Sequence, residues 1–395
     1  MYLTRDQERM LEGEEGEVVE RMFRLLVRLG ELYGADRMIP VSSCQVSGVS
    51  YKSVGDPGLE FLEDLAAKGA RVRVRTTLNP AGLDREGWRE MGFPEDFAEK
   101  QFRILEAFSR LGAELTATCT PYLAGVVPSR GEHLAWSESS AVSFSNSVLG
   151  ARTNREGGPS ALAAALCGVT PRYGLHLEEN RQPTLIVEVE GELRGPSDFS
   201  ALGYWVGREA GGEVPYFRGI RGAGIEELKA LGAAMAASGA VALFHVEGIT
   251  PEAGEVETGG LERVRVGRRE VEGSYESLTT GEEPDLVVLG CPHASPGELS
   301  RAASLLRGRR VKRPLWICTS RRVKEEASLS GLRAQVEGAG GRIVADTCAV
   351  VSPLERMGFE TVGVDSAKAA HYLPGLCGVR VVFSTPERLL EGILG

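Results

Sequence analysis

The sequence predicts an α/β protein made of several lobes with largely parallel sheets. The main observation is that short apolar segments with strand character alternate with amphipathic helices along most of the 395 residues. The alternation is most regular from about residue 284, where the predicted strands are DLVVLG, PLWICTS and GRIVADTC. A further observation is the clear helix EDFAEKQFRILEAFSRLG, which ends at a glycine, the usual residue after a helix.

The order of elements suggests three lobes, at 1–183, 184–275 and 276–395. The first begins with a helical pattern over 6–33 and continues through MIPVSS, the loop CQVSGVSYKSVGDPG, GLEFLEDLAAKG and ARVRVRTTLNP to a predicted strand AELTATCTPY. In the second, TLIVEVEGELRG and the aromatic stretch around Tyr204 and Trp205 suggest a small β-containing insert. The helix IEELKALGAAMAASG and the strand AVALFHVEG then restore the alternation.

Composition and charge limit the function classes. With 42% hydrophobic and 25% charged residues the chain is expected to be a folded globular protein. A net charge of -10 argues against general nucleic-acid binding, which needs a basic surface. The charged start MYLTRDQERMLEGEEGE has no signal-peptide pattern, and no apolar stretch is long enough to span a membrane. We therefore expect a reduced, cytoplasmic protein.

The seven cysteines include several that follow predicted strands. In an open α/β sheet, ligands bind beyond the carboxyl ends of the strands, where Cys119, Cys291, Cys318 and Cys348 are expected. Soft thiolates that converge there could hold zinc or an iron–sulfur cluster. Cys291 and His293 could also form part of a zinc site, although free cysteine is commonly just a buried residue. Spacing alone leaves these alternatives open, and it does not choose among the four cysteines.

Two other segments suggest an anion site. Asn154 and Arg155 precede Gly157, Gly158 and a helix that starts with proline, an arrangement that suits an anion at a helix N-terminus. Lys368 lies in the first turn of a predicted helix, where the dipole disfavours a cation unless an anion is near. An ordinary capped helix and a surface lysine are the alternative interpretations.

Seven segments taken together resemble the aconitase X family over essentially the whole chain. They are QVSGVSYKSVGDPG, TTLNPAG, TCTPYL, WSESSAVSFSNSVLGARTNREGGPSAL, GCPHAS, ADTCAVV and DSAKAAHY. The resemblance implies an aconitase-like catalytic core that lacks the swivel domain. It also implies an iron–sulfur cluster held by Cys119, Cys291 and Cys348, of the [4Fe-4S] type or isolated as [3Fe-4S]. The fourth iron would then be free to bind a substrate hydroxyl.

The same resemblance implies a hydro-lyase that dehydrates (R)-5-phosphomevalonate to trans-anhydromevalonate 5-phosphate in the archaeal mevalonate pathway. Its catalytic base is expected to be a serine on a separate small subunit. The residues expected to line the substrate pocket are Gly48, Val49, Ser50, Asn79, Pro80, Glu138, Ser139 and Lys368, to which the anion argument adds Asn154 and Arg155. The alternatives are dehydration of cis-3-hydroxy-L-proline and a non-catalytic metal or cluster sensor.

Overall fold

A computed structural model describes residues 1–395 and has the expected α/β architecture, with three mainly parallel sheets and one short antiparallel pair. The elements in the first part of the chain are α1 (Arg5–Leu11), α2 (Glu17–Leu32), β1 (Met38–Pro40), β2 (Ser43–Val46), α3 (Tyr51–Ala67), β3 (Arg75–Leu78), α4 (Glu95–Leu111), β4 (Ala135–Trp136), α5 (Ser139–Ser147), α6 (Gly158–Cys167) and β5 (Val169–Pro171). Here β2, β3 and β4 form a parallel sheet in the order β3-β2-β4, and β1 pairs antiparallel with β5.

The elements in the middle of the chain are β6 (Leu185–Val189), α7 (Gly195–Ala210), β7 (Pro215–Arg218), α8 (Ile225–Gly239), β8 (His245–Val246), β9 (Glu262–Val266) and α9 (Arg268–Leu278). The strands form a four-stranded parallel sheet in the order β8-β7-β6-β9. The aromatic stretch with Tyr204 and Trp205 lies in α7, so its β character was wrongly predicted. The helix forms because the buried small and apolar residues of α7 pack closely against α8, which overrides local strand propensity.

The elements in the last part of the chain are β10 (Leu286–Ala294), α10 (Pro296–Leu305), β11 (Leu315–Thr319), α11 (Arg321–Leu329), α12 (Leu332–Gly338), β12 (Arg342–Ala345), β13 (Thr361–Val364), α13 (Ala367–Cys377), β14 (Arg380–Phe383) and α14 (Pro386–Ile393). The strands form a five-stranded parallel sheet in the order β12-β11-β10-β13-β14. β10 is central, and the chain order reverses beside it. Ligands of open α/β sheets bind at such a point.

One continuous core of 45 buried residues joins the second and third sheets and includes Leu83, Trp88 and Phe97 from the first part of the chain. The parts therefore pack as one body, and loops from distant sequence regions are fixed against each other. No helix in the structure is both long and apolar enough to span a membrane.

The predicted strand over 113–122 is an exception. The segment lies along the edge of β3, where the Glu114 N–H donates to the Thr76 carbonyl (2.8 Å) and the Thr118 N–H donates to the Leu78 carbonyl (2.9 Å). Between these bonds Ala117 has a φ of +43°, in the left-handed region, which interrupts any regular ladder. Cys119 therefore follows an irregular segment pinned to β3, and not a strand.

Candidate active site

Three of the seven cysteines line one cavity of about 200 Å³ between the first and last parts of the chain. They are Cys119, Cys291 and Cys348, and each comes from a different loop or strand end. Cys291 lies near the carboxyl end of β10, Cys348 follows β12, and Cys119 follows the segment pinned to β3. The fourth candidate, Cys318, is fully buried in β11 within the hydrophobic core and does not line the cavity.

Gly290 explains how β10 brings Cys291 to this position. Its φ is +90°, and a Cβ atom there would lie 2.2 Å from the Cys318 carbonyl oxygen of the neighbouring strand. Only glycine allows this close approach without a backbone shift.

A buried ionic network places the segment that carries Cys348. Asp346 is fully buried with a φ of +65°, and its carboxylate accepts hydrogen bonds from Arg85 (2.9 Å to Nη2) and from Arg321 (3.2 Å to Nε). Its carbonyl oxygen accepts from the Ala81 N–H at 2.7 Å. These bonds connect the start of the cysteine loop to the first part of the chain and hold a backbone conformation that is unfavourable for a non-glycine residue.

Glu138 and Lys368 form a buried ion pair in the cavity wall. The Glu138 carboxylate caps α5 and accepts hydrogen bonds from the Ser140 hydroxyl (2.9 Å) and the Asn79 amide (2.8 Å). The Lys368 ammonium also donates to the Ser140 hydroxyl at 3.0 Å. Lys368 is thus a buried cation at the start of α13, and the alternative of a surface lysine is wrong.

The pKa values in the cavity follow from burial and from this ion pair. Burial raises the pKa of the Cys119, Cys291 and Cys348 thiols, and the Lys368 charge opposes the rise. Burial would also raise the pKa of Glu138, but Lys368 and the hydrogen bonds outweigh it and lower this pKa to about 2. Burial lowers the pKa of Lys368, whereas Glu138, Cys291 and Cys119 raise it by more. Glu138 therefore stays ionised and Lys368 protonated, and neither is suited to take a proton from a substrate.

We expect Glu138→Gln to destabilise the fold most above pH 5 and progressively less as the pH falls toward 2. The folded pKa of Glu138 lies below its unfolded value, so the carboxylate stabilises the fold above the unfolded pKa, and this contribution, roughly 3 kcal/mol, disappears on protonation. Urea unfolding of the unmodified protein and of Glu138→Gln from pH 7 to pH 2 measures the difference between their free energies of unfolding. Glu355→Gln, which removes the 43%-exposed partner of Lys52, is the control and should cost less than about 1 kcal/mol. If this difference stays constant across the pH range, the ionised Glu138 carboxylate is not the source of the stabilisation.

Six of the ten residues expected at the substrate pocket line the cavity: Asn79, Pro80, Glu138, Ser139, Arg155 and Lys368. Arg155 is exposed and has only one long hydrogen bond, 3.4 Å from Nη1 to the Ala236 carbonyl. It is the cation of the cavity wall without a carboxylate partner, since Lys368 is paired with Glu138. The Oδ1 atom of Asn79 is buried and has no hydrogen-bond partner.

The other four expected residues lie outside the cavity wall. Gly48 lines a separate apolar cavity, and Val49 is buried in the core with its carbonyl bonded to Gln101 (2.9 Å). The Ser50 hydroxyl caps α3 and donates to the Val351 carbonyl (2.8 Å), which places it behind the wall. The Asn154 amide is used by the backbone of Tyr173 (3.0 Å) and Leu175 (2.8 Å).

Six residues of the wall were not among the predicted pocket residues: Ser47, Ser137, Val350, Val351, Tyr372 and Leu376. For two of them a signal existed, because Tyr372 and Leu376 follow Lys368 at intervals of four in α13 and so share its helix face. The loops that hold Ser47 and Ser137 are joined by a 2.6 Å hydrogen bond from the Ser47 N–H to the Ser137 hydroxyl. That contact links residues ninety positions apart, which no local pattern reveals.

His293 does not act as a metal ligand in this arrangement. Both of its ring nitrogens are hydrogen-bonded to protein, Nδ1 to the Thr118 hydroxyl at 2.9 Å and Nε2 to the Thr347 carbonyl at 3.0 Å. No group of three or more His, Cys, Asp or Glu side chains has the close spacing that a single metal ion needs. The zinc site considered for Cys291 and His293 is therefore not formed.

Sequence models of three aconitase X domains match nearly the whole chain. The first domain matches residues 1–179, the second 183–276 and the third 284–394. The solved structure of Thermococcus kodakaraensis aconitase X in its holo form superposes with a TM-score of 0.94 at 46% sequence identity, and the match covers 100% of both chains.

Curated relatives of similar length carry a more specific name. The phosphomevalonate dehydratase large subunit of Methanothermobacter thermautotrophicus is 57% identical over 99% of this chain and 98% of the relative. The protein of the same name from Methanocaldococcus jannaschii is 51% identical over 99% of this chain and 100% of the relative. A cis-3-hydroxy-L-proline dehydratase of Pseudomonas aeruginosa is 39% identical over 98% of this chain but only 69% of its own length.

Proposed function

The chain belongs to the aconitase X family, and we propose that it is the large subunit of a hydro-lyase that dehydrates (R)-5-phosphomevalonate. The observation that carries the proposal is the cavity in which three cysteines meet a buried Lys368–Glu138 pair and the unpaired guanidinium of Arg155. Archaeal relatives named for this activity are 39–57% identical, four of them at 48% or more, whereas relatives named for hydroxyproline dehydration are 35–39% identical.

The cavity fits an iron–sulfur cluster held by Cys119, Cys291 and Cys348. Each thiolate of a cluster binds its own iron, so the sulfurs need not converge on one point as they must for a single ion. The backbone N–H of His293 donates to the Cys119 sulfur at 3.2 Å, and hydrogen bonds of this kind adjust the properties of cluster thiolates. Lys368 supplies a positive charge beside the sulfurs. When bound, a [4Fe-4S] cluster would supply a Lewis-acidic iron for the departing hydroxyl.

The substrate offers three groups that this chain can recognise. Its phosphate suits Arg155, because a guanidinium binds phosphate oxygens through two parallel hydrogen bonds. Its hydroxyl can donate to the unpartnered Asn79 Oδ1, and its carboxylate is attracted by the Lys368 charge. The reaction removes a proton from the carbon beside the carboxylate and hydroxide from the next carbon, which leaves one double bond and one water.

The base is proposed to come from a small subunit. Glu138 and Lys368 are held in their charged forms, so neither is suited to accept the proton, and no other carboxylate and no histidine lines the cavity. Relatives of matching length are named as large subunits, and the bacterial hydroxyproline dehydratase is longer than this chain. Leu376 in the cavity wall is 53% exposed, so a second protein could cover this side of the site.

We expect the complex of both subunits, prepared without oxygen, to convert (R)-5-phosphomevalonate and to leave cis-3-hydroxy-L-proline unchanged. Mass spectrometry of the reaction follows the loss of one water. The large chain alone and the small subunit alone are the controls, and each should be inactive. Turnover of hydroxyproline but not phosphomevalonate would favour the sister activity, and a loaded complex that turns over neither would favour a sensor protein.

A further inference from the structure

We infer that His293 is a positioning residue that fixes the three cysteine segments relative to one another. The inference rests on the proposed role of Cys119, Cys291 and Cys348 as cluster ligands. His293 is fully buried and does not line the cavity, so it acts through its neighbours and not on the substrate.

The two ring nitrogens bond to the residues that directly precede the other two cysteines. Thr118, bonded to Nδ1 at 2.9 Å, precedes Cys119, and Thr347, bonded to Nε2 at 3.0 Å, precedes Cys348. His293 itself is two residues beyond Cys291. No other side chain hydrogen-bonds to direct neighbours of two of these cysteines. One imidazole therefore joins segments that are 54 and 175 residues away in sequence.

The direction of each bond follows from its partner. The Thr347 carbonyl can only accept, so Nε2 carries the ring hydrogen and donates it. In a neutral ring Nδ1 is then an acceptor, and the Thr118 hydroxyl donates to it. The Thr118 oxygen in turn accepts from the Thr120 N–H at 3.2 Å. Each polar atom thus has a partner of the right kind, which a buried network needs in order to be rigid.

Further bonds support the backbone of the same three segments. Lys229 donates to the His293 carbonyl at 3.0 Å, and Gln45 donates to the Thr118 carbonyl at 3.1 Å. The Ser352 hydroxyl donates to the Cys348 carbonyl at 2.9 Å. These bonds stiffen each segment separately, whereas the His293 ring connects the segments. Its loss should therefore affect how well the three sulfurs hold a cluster more than it affects folding.

The test is the rate at which the anaerobically loaded full chain releases iron to a chelator. His293→Gln keeps a donor for Thr347 but does not reach Thr118, and iron release should accelerate by roughly ten-fold or more, as for other residues that orient metal ligands. Thr118→Val removes the hydroxyl and should also accelerate release, whereas Thr118→Ser retains it and should behave like the unmodified protein. The melting temperature of each cluster-free variant is measured in parallel.

His245→Gln is the matched control. His245 is almost fully buried in β8, and its Nε2 bonds to the Arg181 carbonyl at 2.9 Å, far along the chain from the cysteines. His245→Gln makes the same change in another buried imidazole that donates to a backbone carbonyl, and it should leave iron release unchanged. If His293→Gln gives no folded protein, the comparison of iron release from Thr118→Val and Thr118→Ser is the test.

Three outcomes would overturn the inference. Iron release from His293→Gln at the unmodified rate would show that the ring does not position the cysteines. Equal acceleration in His293→Gln and His245→Gln would indicate a general loss of stability. Failure of the unmodified chain to take up iron and sulfide would instead show that the proposed cofactor is wrong, and this inference would fall with it.

Discussion

Replacement of Cys291 by serine is expected to remove the cluster absorbance of the full chain and to lower dehydratase activity of the complex by at least roughly 1,000-fold. A Lewis-acidic metal contributes several kcal/mol to such a step, and each 1.36 kcal/mol is a factor of ten in rate. Cys119→Ser and Cys348→Ser should behave in the same way, because all three sulfurs line one cavity. Visible absorption and turnover of phosphomevalonate, both without oxygen, measure the two effects.

Cys318→Ser is the control for this series. Its side chain is more buried than those of the proposed ligands, so the hydroxyl should lower stability by about 1–3 kcal/mol, as for other buried polar groups without a partner. It should leave the cluster in place, since Cys318 belongs to the core and not to the cavity. Loss of the cluster in Cys318→Ser together with its retention in Cys291→Ser would show that Cys318 is a cluster ligand and Cys291 is not.

Lys368→Met is expected to destabilise the fold by about 3–5 kcal/mol, because the Glu138 carboxylate would remain buried without its partner. The double variant Lys368→Met/Glu138→Gln removes both charges and should regain most of that stability. Its activity should stay at least roughly 100-fold below that of the unmodified complex, since the cation beside the sulfurs and the substrate is still missing. Urea unfolding and turnover at pH 7 give the two quantities.

A functional ion pair differs from a structural one in that the double variant regains stability without regaining activity. If the double variant regains both stability and activity, the pair only supports the fold. If neither Lys368→Met nor Glu138→Gln loses stability, these two side chains do not form a buried ion pair.

The sequence made much of the last part of the chain predictable. The alternation after residue 284 corresponds to β10 through β14, and the strand-end positions of Cys291 and Cys348 follow from it. The left-handed Ala117 is not visible in the β-prone segment around Cys119, so that segment was wrongly predicted as a strand. Spacing did not separate Cys318 from the other cysteines, and only the resemblance to aconitase X chose among them. The burial of Cys318 away from the cavity depends on which face of β11 packs inward, which no local pattern shows.

The composition of the cavity wall was less predictable because its contacts are long-range. Lys368 and Glu138 are 230 residues apart. The position of Lys368 in the first turn of a helix indicated a nearby anion, but nothing in either local segment identified Glu138 as that anion. For Asn154 the local pattern was misleading. Its loop resembles an anion site, but its side-chain amide is hydrogen-bonded to the backbone of Tyr173 and Leu175. Local patterns identified candidate polar loops, and tertiary hydrogen bonding determined which of their side chains face the cavity.

The iron and acid-labile sulfide content of the full chain, purified and reconstituted without oxygen, is the decisive measurement for the proposed cluster. A cluster on Cys119, Cys291 and Cys348 predicts roughly four irons and four sulfides per chain, or three irons if one is lost on isolation. The triple variant with serine at all three positions should contain neither. Zinc without sulfide, or an unchanged iron and sulfide content in the triple variant, would show that these three cysteines do not hold an iron–sulfur cluster.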